Sequence, residues 1–249
     1  MPTIAPEYSY SVLIPWREKL DGSGTSFDYA GFTAAQQEQS IGIGHDGMWY
    51  FGDNKKGLMC INHEYGTTPH IMGKSVPTSA ADVALSQTAH GISVVAIENV
   101  GGKWKVVKSK KNRRVHVNTL ATISGPVAKS ALIQNAAGNP IQGTMNNCAN
   151  GKTPWGTYLT CEENFNGYFG TNDKAWKPNT DQARYGLAAA GFGYDWHKFD
   201  PRFDLARTDY ANEVNRFGWV VEVDPNDPES APIKRTALGR VKHEGAELV

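Results

Sequence analysis

Cysteine is scarce in this chain. Its 249 residues hold three, Cys60, Cys148 and Cys161, an odd and sparse set that argues against a disulfide framework. One bridge stays open, Cys148 to Cys161, if the turn at Pro154 folds the chain back on itself. Neither Cys-x-x-Cys nor His-Glu-x-x-His occurs, which disfavours a zinc site of the ordinary spacing. An excess of either charge is missing too. Lys and Arg total 25 against 25 for Asp and Glu, so nothing points to a nucleic-acid surface or a polybasic membrane patch. No apolar run approaches the roughly 18 residues that a spanning helix needs. Met1-Pro2-Thr3-Ile4-Ala5-Pro6 has neither the basic region nor the apolar core of a signal peptide. A Gly-x-Ser-x-Gly elbow and a P-loop are both absent, which leaves covalent catalysis by a serine with little support. Helical signal is sparse. The best candidate is Ser79 to His90, with Ser79 as N-cap and Gly91 as stop.

Glycine and aromatic residues are plentiful. The 26 glycines and 10% aromatics, beside a hydrophobic share of 40%, suit an all-β chain with many turns. Tyr10 to Ile14 reads as a first strand, ended by Pro15. Asp46 to Phe51 and Gly57 to Asn62 read as a hairpin across the polar Gly52-Asp53-Asn54-Lys55-Lys56 turn. Gly91 to Glu98 and Lys103 to Val107 form a second, across Asn99-Val100-Gly101-Gly102. Thr157 to Cys161 is a short strand running into Glu162. Gly218 to Pro225 is another, paired with Ile233 to Leu238. Asn166 to Asp209 reads as a long irregular excursion, of the kind that carries function or covers a site. Such hairpins fit a sandwich, a barrel or a propeller, and the Gly-then-strand phrase at Gly47, Gly91 and Gly218 favours propeller blades. The chain ends soon after His243-Glu244-Gly245. A ligand so near a frayed end is physically odd, so the chain reads as a fragment of something longer.

The chemistry concentrates between Asn146 and Asn164. Two thiols, Cys148 and Cys161, and two adjacent carboxylates, Glu162 and Glu163, flank the rigid Thr153-Pro154-Trp155-Gly156 turn. Soft sulfur and hard oxygen donors this close suggest a metal site that uses both. Glu64, Glu162, Glu163 and Glu244 each stand at the end of a short apolar strand, and carboxylates are what Ca²⁺ prefers. The bland alternative, an ordinary solvated charge, applies to any isolated Glu. Cys148 is either a buried structural thiol or a thiolate ligand kept ionised by a cation. His63 and His243 read as hydrogen-bond partners that orient the adjacent Glu rather than as ligands. Arg113 and Arg114 could clamp a phosphate bidentately, although the basic run before them reads equally well as a solvated loop.

A resemblance then covers nearly the whole chain in order. Its motifs include Tyr10 to Trp16, His45-Asp46-Gly47-Met48, Gly57 to Tyr65, His90 to Val95, Asn112-Arg113-Arg114 and Asn147-Cys148 through Thr157. They continue with Cys161-Glu162-Glu163-Asn164, Arg216 to Pro225 and Lys234 to Ala246. Together they resemble the N-terminal half of the PhoX family of bacterial alkaline phosphatases. The resemblance implies a six-bladed β-propeller, of which residues 1–249 would be the N-terminal part of a single domain: a partial propeller with irregular insertions, its further blades beyond Val249. It implies monomeric enzymes, exported to the periplasm or the exterior, that hydrolyse small phosphomonoesters with a cluster of Fe³⁺ and Ca²⁺. By motif, Cys148 would bind iron, with Cys161 kept open as the other thiolate. Glu244 would bind iron or bridge iron and calcium, and Glu64, Glu162 and Glu163 would serve calcium. Activity is then implied for the full-length parent and doubtful for this piece alone. Two other readings stand beside it: a calcium-dependent propeller lactonase or esterase, and a non-catalytic calcium-binding module.

Overall fold

The structure, a computed structural model, describes residues 3–25, 29 and 31–248. Met1 and Pro2 of the N-terminal segment lie outside the described residues. Two five-stranded sheets carry the chain. The first comprises β1 (His45–Gly52), β2 (Lys56–His63), β3 (Gly91–Val100) and β4 (Lys103–Val106) in chain order, with β5 (Arg113–Val115) also pairing β3. The second runs β6 (Thr122–Ser124), β10 (Ile233–Arg235), β9 (Val220–Val223), β8 (Tyr158–Glu162) and β7 (Asn147–Lys152). All pairings are antiparallel except β10 with β6.

Local chemistry explains the turns. Between β1 and β2 the Asp53 carboxylate accepts from the backbone N–H groups of Lys55 and Lys56, at 2.7 and 3.0 Å, an Asx turn. Between β3 and β4, Val100 pairs with Lys103, leaving a two-residue loop. Gly101 and Gly102 supply the positive φ at both positions that such a loop requires. The helix α3 (Ala80–Ala89) starts where Ser79 Oγ accepts from Asp82 N, and stops at Gly91, whose φ is +99°. The shorter α1 (Ala34–Glu38), α2 (Thr68–Met72) and α4 (Thr180–Arg184) are single turns.

The sheets face one another over Cys60, Ile92, Val94 and Val115 from the first and Tyr158 and Val223 from the second. The opposite face of the first sheet packs Val95, Ile97 and Val106 against Leu20 and Ile41. A larger core, with Phe165, Tyr168, Phe169, Trp196, Phe203 and Phe217, lies under the excursion of residues 166–209, whose own elements are α4 and 3-10 turns.

Strand outweighs helix among the described residues, as the hairpin reading requires. The architecture is mostly β, and both sheets are open rather than closed into a ring. Tyr10 to Ile14 is not a strand. Leu13 and Ile14 pack against the first sheet as hydrophobic cover, without joining a ladder. The Asn-Cys-Ala-Asn-Gly-Lys sequence of β7 carries no β-forming pattern of its own. Its neighbour β8 recruits it.

Candidate metal centre

Glu64 directly follows β2, and its backbone is gripped from both sides. Its N–H donates to Gly44 O at 2.8 Å, and its carbonyl accepts from the Tyr168 hydroxyl at 3.1 Å. Asp46 is the second residue of β1, where the β1–β2 register shifts between His45 and Met48. Cys148 is the second residue of β7, inside a β-bulge: Asn147 pairs with Glu162 but Asn150 with Thr160, one residue too many. The bulge turns the thiol toward β1. Gly47 permits the approach, because a Cβ there would lie 2.8 Å from Cys148 O and Asn150 N. Asn62 fastens the bulge, donating to the carbonyls of Cys148 and Ala149 and accepting from Thr160 Oγ1 at 2.9 Å. The Tyr158 hydroxyl donates to Gly47 O at 2.9 Å.

One carboxylate oxygen each from Asp46 and Glu64 thus lies with Cys148 Sγ inside a set whose members are all within 4.8 Å of one another. Among the described residues no salt bridge reaches Asp46, Glu64, Glu163 or Glu244. The titration follows from that. Glu64 is pushed up to about 7 by burial, by a hydrogen bond shared with Asp46, and by the charges of Asp46, Glu163 and Glu244. Burial first, then Asp46 and Glu64, push the Cys148 thiol up to about 12. These groups repel one another until a cation joins them.

Glu163 and Glu244 stand close enough to Glu64 to act on its proton but outside the tight set. Glu163 is half-buried, with its N–H on Asn146 O at 3.0 Å, and Glu244 is exposed. The expectation for Glu162 is corrected. One of its oxygens accepts from Lys234 Nζ at 2.8 Å; the other accepts from Gly218 N at 2.8 Å and Trp219 N at 3.0 Å. Neighbouring side chains in extended chain point to opposite faces, so the adjacent Glu162 and Glu163 do not share one site.

The phosphate clamp is corrected as well. Arg114 is buried and donates to the carbonyls of Ile92, Ser40 and His90. Arg113 donates to Lys111 O and Asp224 O. Neither histidine holds its neighbouring Glu. His63 Nε2 lies 2.7 Å from Ser93 Oγ and accepts from Gly42 N, and His243 Nε2 contacts Gly239 O at 3.0 Å. All three cysteines are free, so the Cys148–Cys161 bridge is not made. Cys161 packs with Leu159 and Val220.

The family model for the alkaline phosphatase PhoX matches residues 1–249. The chain belongs to the PhoX family. A solved structure, Pseudomonas fluorescens PhoX in complex with vanadate, a transition state analogue, is similar at 46% identity and a TM-score of 0.90. The match covers 96% of this chain and 42% of that PhoX, so the chain spans less than half the length of the PhoX it matches. No curated protein matches it.

Asp46 is the site residue that sequence reasoning missed. By sequence it merely opens the Asp46 to Phe51 strand of the first hairpin. The available signal was its place between His45 and Gly47, an acid beside a glycine that admits another backbone. Only the fold reveals that the admitted backbone carries Cys148.

Proposed function

We propose that this PhoX-family chain is the N-terminal portion of a single-domain, metal-dependent phosphomonoester hydrolase. Asp46, Glu64 and Cys148 are the core of its metal centre, and Glu163 and Glu244 flank it. One observation carries this: a thiol and two carboxylates within 4.8 Å of one another, with no salt bridge to either acid among the described residues. The donor set fits a mixed cluster. Sulfur suits a transition metal such as Fe³⁺, and carboxylate oxygens suit Ca²⁺. A thiol held at about 12 ionises at neutral pH only against a cation. When bound, the cations supply positive charge against the phosphoryl oxygens and a nucleophile at neutral pH. The chain's own part is to fix the donors. The Cys148 bulge is clamped by Asn62, and Glu64 is held by Gly44 O and the Tyr168 hydroxyl. The hydrolase reading also draws on the vanadate bound by the Pseudomonas fluorescens PhoX. A six-bladed propeller in the longer protein, of which these two sheets are part, a monomeric state and a periplasmic or extracellular location belong to the same proposal.

The test is made in the longer protein. Cys148→Ser should lose iron and lower phosphomonoester hydrolysis by orders of magnitude, while Cys161→Ser keeps both. Full activity and full iron in Cys148→Ser would remove the thiolate from the reading and leave a calcium-only site.

A further inference from the structure

A cleft of about 360 Å³ opens beside the donor cluster, and Glu64 belongs to both. Its aromatic wall is Tyr65, Phe192 and Tyr194. Phe192 is 59% exposed, yet it is held. Its N–H donates to Gly167 O at 2.8 Å. Its ring lies so close over Gly167 that a Cβ there would sit 2.1 Å from the ring edge. Gly191 and Gly193, on either side, take φ of +52° and +84°. A Cβ at Gly191 would lie 2.4 Å from Phe169 O, so this loop accepts no ordinary side chain there. Behind it, Tyr194 stacks on Tyr168 at 4.2 Å. The Phe192 ring therefore rests against the Gly167 backbone while much of it remains open to solvent. A rigidly presented, exposed aromatic loses little entropy when a second ring stacks on it. Among the described residues that line the cleft, Glu64 is the only charged one, and Thr67, Ser75 and Asn164 add uncharged polar groups.

We propose that this cleft receives the organic group of the phosphomonoester and favours alcohols that carry a flat aromatic or heteroaromatic ring, with Phe192 as the stacking platform and Tyr65 as the second aromatic contact. The inference rests on the phosphomonoesterase reading. With the phosphoryl group at the cluster beside Glu64, the ester's carbon side has this cleft next to it. Phe192 is thus a specificity-determining residue that touches substrate away from the reacting atoms.

Benzyl phosphate and cyclohexylmethyl phosphate test this in the metal-loaded, full-length protein. Both release a primary alcohol of similar size, and only the first offers a π face. The wild type should show a kcat/KM ratio favouring benzyl by roughly two- to ten-fold, the range that aromatic pairing supports. The ratio should fall toward one in Phe192→Leu, persist in Phe192→Trp, and fall less in Tyr65→Leu. Because the ratio is internal to one enzyme sample, partial loss of folded protein does not move it. Calorimetry with benzylphosphonate against cyclohexylmethylphosphonate should give the same preference as binding. Equal ratios in the wild type, or an unchanged ratio in Phe192→Leu, would overturn the inference. Wild-type turnover of ethyl phosphate separates the two claims. If ethyl phosphate is hydrolysed and the ratio is flat, the cleft assignment alone fails; if no phosphomonoester is hydrolysed, the underlying reading fails and takes this one with it.

Discussion

Two acidic centres of this chain behave in opposite ways. At Glu162 a fully buried carboxylate meets Lys234 and two backbone N–H groups, and each oxygen is satisfied within the chain. At Asp46, Glu64 and Cys148 the donors meet chiefly one another, and Glu64 keeps its proton to about pH 7. The first arrangement is scaffold, because nothing is left for a ligand to do. The second is incomplete until a cation arrives. Compensation, rather than burial or the count of acids, separates them.

The sharpest way to break this contrast is at Lys234. Lys234→Met strands a buried carboxylate, and loss of one partner of a buried pair typically costs about 3–5 kcal/mol. Urea unfolding of the metal-free protein should register a loss of that order. A loss under about 1 kcal/mol would mean that Glu162 is less dependent on its partner than its burial implies. Glu64→Gln, in the same assay, should stabilise the metal-free protein at neutral pH, because it removes repulsion instead of attraction.

A smaller effect is expected at Asn62. Asn62→Ala leaves the Cys148 and Ala149 carbonyls without this donor and should cost about 1–3 kcal/mol. It should also loosen the bulge that aims the thiol. Unchanged stability together with unchanged metal affinity would show that the bulge holds itself.

Much of this fold is legible in the sequence because it is local. The Asp53 turn, the Gly101-Gly102 loop and the Ser79 cap each announce themselves within a few residues. Glu64 and Cys148 stood out by residue type and setting. Asp46 did not, since its role comes from a contact about a hundred residues away through Gly47 and a bulge. Glu162 and Glu163 look equivalent in sequence, and only the strand's phase assigns one to Lys234 and the other toward Glu64. Arg113 and Arg114 fail for a related reason: a guanidinium's donors are spent on whichever carbonyls the fold delivers. The two sheets are open among the described residues, and the sequence pattern of their hairpins does not by itself say how they are completed.

The smallest effects concern pH and should run in opposite directions. In the metal-free protein Glu64 titrates at about 7, above its ordinary 4.5, so the folded state binds its proton more tightly than the unfolded state. Its contribution to stability is complete below about pH 4.5 and is lost as the pH rises through about 7. Asp82 is the compensated counterpart. Burial alone would raise it, but hydrogen bonds from Lys74 and Thr78 bring it to about 2. Its contribution is present above about pH 3.8 and is lost as the pH falls through about 2. Melting temperatures across pH for the wild type, Glu64→Gln and Asp82→Asn should separate the two limbs. A metal-free wild type with no loss between pH 4.5 and 8 that Glu64→Gln relieves would contradict the assignment at Glu64.

The most direct test is a calorimetric titration of metal-stripped protein with Ca²⁺ at pH 6.5, in buffers of different ionisation heat. Ca²⁺, a hard cation, should take the Asp46 and Glu64 carboxylates and leave the Cys148 thiol protonated, so its binding must displace the Glu64 proton. Binding should therefore release protons, the release should shrink above about pH 8, and Glu64→Gln should abolish it. Binding that releases no proton at pH 6.5, or that is unaffected by both Asp46→Asn and Glu64→Gln, would contradict a cation site at this cluster.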